Sequence, residues 1–420
     1  MKNSKTKEIV IIWAWLAGCE AALQMANSGY KIIMYDNKNI IDHHLYQRKD
    51  FWELICMNTL WGINANIPSW LCRIELENLG CKMLEIAHKC EIKNDEYLAI
   101  NKQLFSELVN KELKKFDIKI IEKDITEIPS DWIIIVATGP NTNEKLMKSI
   151  SKKFNNQKYY KSSALSPAIY ENSINFNKKN IKKINKSTYQ VEISDKIFEK
   201  ILDRLLIEKP THMHYIDQEI DLTKNTPIEN IAKENINQLK NKFYNKKTKN
   251  YSITIKKDPN LNGVFNVVDF YTRIWVYAQI DIFKLIPWFE NIKFARFGLM
   301  HKDTYFNSPN FLNKYFKVKN SKQPIYIIWQ VSGCDWYLRA FASAIIASNN
   351  IIYWNTPLST KTMIGWLANY ISNKKIENFQ PISATYWLIK EFTNPKKQEK
   401  ESIKLINQYK KQLSTKKINK

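Results

Sequence analysis

Glycine is scarce in this chain. It has 9 glycines in 420 residues, against roughly 29 at average usage. An ordinary α/β protein needs glycine wherever φ turns positive or two backbones approach closely. The shortage therefore argues against that class. Acids are short as well: 41 Asp+Glu face 64 Lys+Arg, a formal net charge of +23. That imbalance favours a polyanionic partner, nucleic acid first among them. There is no CxxC pair and no Cys/His cluster at zinc spacing, which speaks against a metal site. The six cysteines, Cys19, Cys56, Cys72, Cys81, Cys90 and Cys334, read as reduced thiols in a cytosol. No run of about 18 apolar residues occurs, so no transmembrane helix is expected.

Tryptophan, by contrast, is abundant, at 13 residues. A hydrophobic fraction of 44% with 25% charged residues marks a globular chain. Its length suits two domains, or one with a large insertion.

The start of the chain has two readings. Lys2 to Lys7 is basic, Ile9 to Ala17 is apolar, and Leu16-Ala17-Gly18-Cys19 has the shape of a lipoprotein cleavage box. The continuation favours a buried strand entering a helix. Glu20 to Ser28 extends the helix, Gly29 ends it, and Lys31 to Tyr35 forms a second apolar strand closed by Asp36. Residues 8–36 thus read as a β-α-β unit. Lys102 to Phe116 reads as an amphipathic helix. Ile118 to Ile121 and Ile133 to Val136 read as strands, the latter running into Ala137-Thr138-Gly139-Pro140. A strand ending in a small-residue turn is where an open α/β sheet binds its ligand. Beyond residue 155 the texture changes to Lys/Asn-rich runs around Ile197 to Leu206 and Thr226 to Ala232. Strand-and-helix texture returns with Ile325 to Ile328 and Leu338 to Ala347. Lys396 to Lys420 reads as a solvated, charged tail without apolar periodicity, with nucleic-acid contact the alternative.

A dinucleotide loop after the first strand requires Gly-x-Gly-x-x-Gly. The six positions here are Trp13-Ala14-Trp15-Leu16-Ala17-Gly18, and only the third glycine stands. Asp36 sits where a ribose-binding acid belongs. As written, Trp15 fills the space a pyrophosphate needs, so the loop predicts no dinucleotide binding.

Three further segments carry a resemblance. They are Glu53 to Thr59, Arg296-Phe297-Gly298-Leu299-Met300-His301-Lys302-Asp303-Thr304 through Asn307-Ser308-Pro309, and Gln330 to Ser343. With the β-α-β unit, Ala137 to Pro140, Asn369-Tyr370-Ile371 and Phe379-Gln380-Pro381, they resemble the folate- and FAD-dependent tRNA (uracil-5-)-methyltransferases, GidA-like flavoproteins. The resemblance spans about residues 8–390. It implies a Rossmann-like FAD-binding α/β domain with an inserted α+β domain. The segments are 1–155 and 295–395 for the FAD domain, 156–294 for the insertion that faces RNA, and 396–420 for a basic tail.

It also implies methylation at C5 of uracil-54 in the tRNA T-loop, in the cytoplasm, without a membrane. FAD is the cofactor; NAD(P)H and 5,10-methylenetetrahydrofolate are co-substrates. By carry-over, residues 13–18 hold the pyrophosphate and Asp36 the adenosine ribose, while Thr138, Gly139 and Gln330 line FAD. Cys56 lies near the flavin, and His301 acts near flavin or folate. The family's other cysteine falls at Asn225, which cannot form a thiolate. Lys161 and Asn101 stand where the family has acids. Two alternatives follow: a paralogue acting on ribosomal RNA, or a catalytically decayed RNA-binding relative. Trp13, Trp15, Trp132, Trp288, Trp329, Trp336 and Trp387 fall at family glycines. A UGA codon read as glycine by the source organism but written as tryptophan would move glycine towards its expected level and reduce the tryptophan excess.

Overall fold

The computed structural model describes residues 8–37, 40, 59–65, 68–92, 97–130, 133–139, 142–160, 163–177, 181–209, 226–246, 248–258, 263–301, 304–377, 379–382, 389 and 394–418. The chain divides into two compact units. One joins Met1–Tyr160 to Asp303–Lys420, and the other is Lys161–Lys302, inserted between them.

The first unit opens with strand β1 (Glu8–Ile12), helix α1 (Leu16–Ala26) and strand β2 (Lys31–Asp36). Ile9 to Ile12 are β-branched and fully buried, as a central parallel strand covered on both faces must be. Small residues Ala17, Gly18, Ala21 and Ala22 let α1 lie close against the sheet. At Gly18 a Cβ would stand 2.1 Å from the Trp13 carbonyl oxygen, so only glycine fits there. Then follow β3 (Thr59–Gly62), α2 (Ser69–Asn78), α3 (Lys82–Lys89), β4 (Glu91–Ile92), β5 (Tyr97–Ile100), α4 (Lys102–Leu113), β6 (Ile118–Glu122), β7 (Ile133–Val136), α5 (Glu144–Lys153) and β8 (Tyr159–Tyr160).

The second unit holds β9 (Ser163–Leu165), β10 (Ala168–Tyr170), β11 (Ile181–Lys183), β12 (Thr188–Ile193), α6 (Asp195–Ile207), α7 (Ile228–Glu234), α8 (Ile236–Phe243), β13 (Tyr244–Asn245), β14 (Asn250–Lys257), β15 (Val264–Val267), α9 (Val276–Lys284), β16 (Phe294–Arg296) and β17 (Leu299–His301). Its antiparallel sheet runs β11-β12-β14-β15-β10-β16, with β13 on β14. Helix residues Phe198, Ile201, Leu205 and Phe283 share a core with Val191, Ile253, Ile255 and Phe265 of the sheet. Phe198 stacks on Tyr251 with ring centroids 3.8 Å apart. This is the expected α+β insertion. Its lysine-bearing edge strand β11 discourages pairing with another chain.

The chain then returns to the first unit with β18 (Tyr305–Phe306), α10 (Ser308–Phe311), β19 (Ile325–Ile327), α11 (Tyr337–Tyr353), α12 (Met363–Ser372) and α13 (Pro395–Ile418). Its main sheet is parallel, in the order β19-β7-β1-β2-β6. Helix α11 is buried from Leu338 to Ile352 and packs on α1. Sequential neighbours β1 and β2 lie side by side, whereas β7 joins β1 on its other edge. The strand order therefore reverses at the β1–β7 boundary, the place where open α/β sheets leave a crevice beyond their carboxyl ends.

The tail is a correction to the sequence reading. Residues 395–418 form one helix, not a solvated end. Its buried stripe is Gln398, Ser402, Ile406, Tyr409 and Leu413, a helical period whose first two members are polar. Hydropathy hides such a stripe. The Gln398 amide donates to the Lys361 carbonyl at 3.0 Å, which ties the helix down.

Buried carboxylates hold several helix starts. Glu75 of α2 accepts from the Met363 and Ile364 N–H groups of α12 at 2.8 and 2.9 Å. Glu20 of α1 accepts from Met83 N–H of α3 at 2.8 Å. Burial pushes the Glu75 carboxyl up to about 7 from its usual 4.5, the two backbone N–H groups opposing it. A carboxyl whose folded pKa is raised holds its proton better in the folded state. Its stabilising contribution is complete below about 4.5 and lost as pH rises through about 7. That loss is up to about 3 kcal/mol. Glu75→Gln should flatten the decline in unfolding free energy between these pH values. Superimposable denaturation profiles for both proteins across that window would contradict the assignment.

Candidate functional site

The loops that leave β1, β7 and β19 converge at the crevice. Trp13 N–H donates to Tyr35 O at 2.8 Å, Ala137 N–H to Ile12 O at 3.0 Å, and Ile328 N–H to Val136 O at 3.0 Å. These bonds extend the ladder to the loop mouths and fix their spacing. Asp36, at the end of β2, is buried, and its Oδ2 accepts from Ala14 N–H at 3.1 Å. The structure thus brings together residues 13–18, Asp36, Thr138, Gly139 and Gln330, from four separate strand ends.

His301 lies on β17, paired with Ser163, in the second unit. Cys56, Asn225, Lys161, Trp132 and Trp387 lie outside the described residues. Asn101 caps α4, its Oδ1 accepting from Leu104 N–H at 3.1 Å. That is a structural use for an amide standing where the family has an acid.

Part of the crevice suits a phosphate-bearing dinucleotide. Helix α1 points its N-terminus into it, and no side chain caps that end. Such a terminus concentrates N–H donors and positive potential for an anion. Thr138 Oγ1 is buried without a hydrogen-bond partner.

The volume, however, does not suit it. Trp13, Trp15 and Trp329 are all buried. Their rings pack across the mouth, edge-on for Trp13 and Trp15 with centroids 5.9 Å apart, and tilted for Trp15 and Trp329 at 5.0 Å. A Cβ on Gly139 would meet the Trp329 ring at 2.7 Å and the Trp15 ring at 3.0 Å. Indole nitrogen is a donor only, so these rings cannot replace the acceptor that the helix start lacks. The residues present therefore do not fit a bound dinucleotide, as the loop sequence predicts.

The backbone adds a second anomaly. Trp13 has φ +80°, Trp288 +90°, Trp329 +59°, Trp336 +70° and Trp354 +54°. A bulky side chain at positive φ is a true outlier, costing about 1–2 kcal/mol per residue. Trp354, directly after α11, was not singled out in the sequence. A signal was there: Pro357 follows three residues later, the spacing of a helix stop that takes glycine at the left-handed position.

The thiols in view are poor nucleophiles. Cys19, Cys72, Cys81, Cys90 and Cys334 are buried. Burial pushes Cys90 up to about 11 and Cys334 up to about 12. Cys72 also moves up, as do Cys19 and Cys81, which nearby carboxylates raise further. Among the described residues no group of three or more His, Cys, Asp or Glu could hold a metal ion, and no helix is long and apolar enough to cross a membrane.

Comparison with known proteins gives consistent matches. A family model described as glucose inhibited division protein A matches residues 8–353. The methylenetetrahydrofolate–tRNA-(uracil-5-)-methyltransferase TrmFO of Fusobacterium nucleatum is 30% identical over 96% of each chain. TrmFO 1 of Mesoplasma florum is 28% identical over 91% of each. Among solved structures, Aquifex aeolicus GidA superposes with a TM-score of 0.52 at 14% identity, covering 97% of this chain and 74% of that one. At that identity the superposition shows the fold alone.

Proposed function

The chain belongs to the glucose inhibited division protein A family and, within it, to the TrmFO methyltransferases, and from that premise we propose that it methylates C5 of uracil-54 in the T-loop of tRNA. The end-to-end match to proteins of that name carries the reading. The carbon comes from 5,10-methylenetetrahydrofolate, FAD is the cofactor, and NAD(P)H is the reductant. A tRNA substrate supports a cytoplasmic location as part of the same proposal.

The chain's own residues have distinct parts in this reading. With the space of the three indoles vacant, the α1 N-terminus and Asp36 would hold the pyrophosphate and ribose, and Thr138, Gly139 and Gln330 would line the crevice. C5 of uracil is a weak nucleophile until a group adds at C6, so the reaction calls for a thiolate. Asn225 cannot supply one, and burial disables the five described thiols. Cys56 is therefore the proposed nucleophile, and His301 is proposed to take part in the chemistry.

A second reading, a decayed RNA-binding relative, is favoured by Asn225 and by the indole-filled crevice. Visible absorbance of the purified protein separates the two. Flavin absorbance is expected for the enzyme purified from its source organism; a colourless protein from that source that takes up no added FAD would sink it.

The RNA has a surface to meet. Helix α13 buries one stripe and exposes Lys396, Lys397, Lys400, Lys404, Lys410 and Lys411. Phosphate neutralisation by lysine is salt-dependent and sequence-independent. Charge reversal at Lys400, Lys404 and Lys411 should weaken tRNA binding by about tenfold at 0.1 M salt and flatten its salt dependence. Unchanged affinity and slope would remove α13 from the interface.

A further inference from the structure

Five of the described tryptophans hold the left-handed backbone that glycine favours: Trp13, Trp288, Trp329, Trp336 and Trp354. Most of the other non-glycine residues at positive φ are Asn or Asp, whose short polar side chains tolerate that region. Indole side chains gain nothing there. Burial does not explain the pattern, because Trp288 is 2% exposed whereas Trp336 and Trp354 are 45% and 62% exposed. Position does. Trp13 opens the loop after β1, Trp336 and Trp354 flank α11, and Trp329 follows β19. Each of these four lies at or just beyond the end of a strand or helix.

Trp15 has ordinary φ, −97°. It belongs with the group through space, because its ring crowds Gly139 and Trp329. Trp61, Trp70, Trp275 and Trp366 are different. None has positive φ. Trp366 stacks on Tyr370 with centroids 5.3 Å apart, and Trp61 lies edge-on to His88.

We propose that the protein its own organism makes carries glycine at positions 13, 15, 288, 329, 336 and 354, read from UGA codons, and true tryptophan at 61, 70, 275 and 366. The assignment rests on backbone and packing, not on the function proposed above. The backbone adds Trp354 to the positions at family glycines and sets Trp61, Trp70, Trp275 and Trp366 apart from them. It also turns the crevice into an open cradle: with the rings gone, the α1 N-terminus, Asp36 and Thr138 face space that the indoles now fill.

The test is to read the gene at these ten codons and to measure peptide masses of the protein purified from its source. UGA is expected at the first six, with glycine in their peptides, and UGG at the other four, with tryptophan. UGG at positions 13 and 288, or tryptophan-bearing peptides from UGA codons there, overturns the proposal. A recombinant comparison needs no source material. The six-site Trp→Gly protein should unfold at a higher temperature than the chain as written. Equal or lower thermal stability counts against the assignment, because six random losses of large side chains should destabilise.

Discussion

Replacing Trp13, Trp15 and Trp329 by glycine should raise FAD affinity by at least about a hundredfold over the chain as written. The estimate is steric. A dinucleotide entering the crevice must displace three buried rings that pack against one another, two of them leaving no room for a Cβ at Gly139. Inserting bulk into a packed site costs about 1–3 kcal/mol per group, and each 1.4 kcal/mol is a factor of ten in affinity. Three rings removed together give roughly 3–9 kcal/mol. The gain should appear as flavin absorbance that co-purifies with the triple variant and is missing from the parent. Comparable FAD titrations for both proteins would show that the rings swing out at little cost, and the steric account would fail.

Cys56→Ala should abolish methyl transfer, by roughly three orders of magnitude or more, while leaving flavin uptake intact. Cys90→Ala should leave the rate within about twofold, as should the other thiols if their loss does not unfold the core. The contrast follows from ionisation. A thiol acts as a nucleophile through its thiolate. A Cys90 pushed up to about 11 and a Cys334 pushed up to about 12 leave almost none near neutral pH. Full activity in Cys56→Ala would move the nucleophile elsewhere. Loss of activity in Cys90→Ala with an unchanged unfolding midpoint would do the same.

The sheet was legible because its strands are short β-branched runs closed by turn residues. Ile9 to Ile12, Ile133 to Val136 and Ile325 to Ile327 all form strands of one parallel sheet. The crevice was legible too, since a strand, a turn, a helix start and Asp36 follow one another in sequence. Helix α13 was not, because Gln398 and Ser402 occupy core positions and break the apolar period. The carboxylates Glu20, Glu75 and Glu229 were equally hidden. Each is buried to serve backbone N–H groups far away in sequence, as Glu229 does for Arg273 at 2.7 Å, and composition carries no trace of such pairing. Trp354 left only the following Pro357 as a sequence signal, and its φ angle of +54° made the position plain.

The glycine shortage changes meaning against this backbone. Five left-handed tryptophans at about 1–2 kcal/mol each would consume much of the 5–15 kcal/mol that holds a typical domain folded. A chain carrying all of them would be marginal at best. With glycine at those turns the fold is an ordinary flavoprotein scaffold.

The most direct measurement is the 5-methyluridine content at the T-loop of tRNA from cells with and without the gene. The account predicts that the modification disappears on deletion and returns when the gene is restored. T-loop 5-methyluridine that persists unchanged in the deleted strain would contradict it.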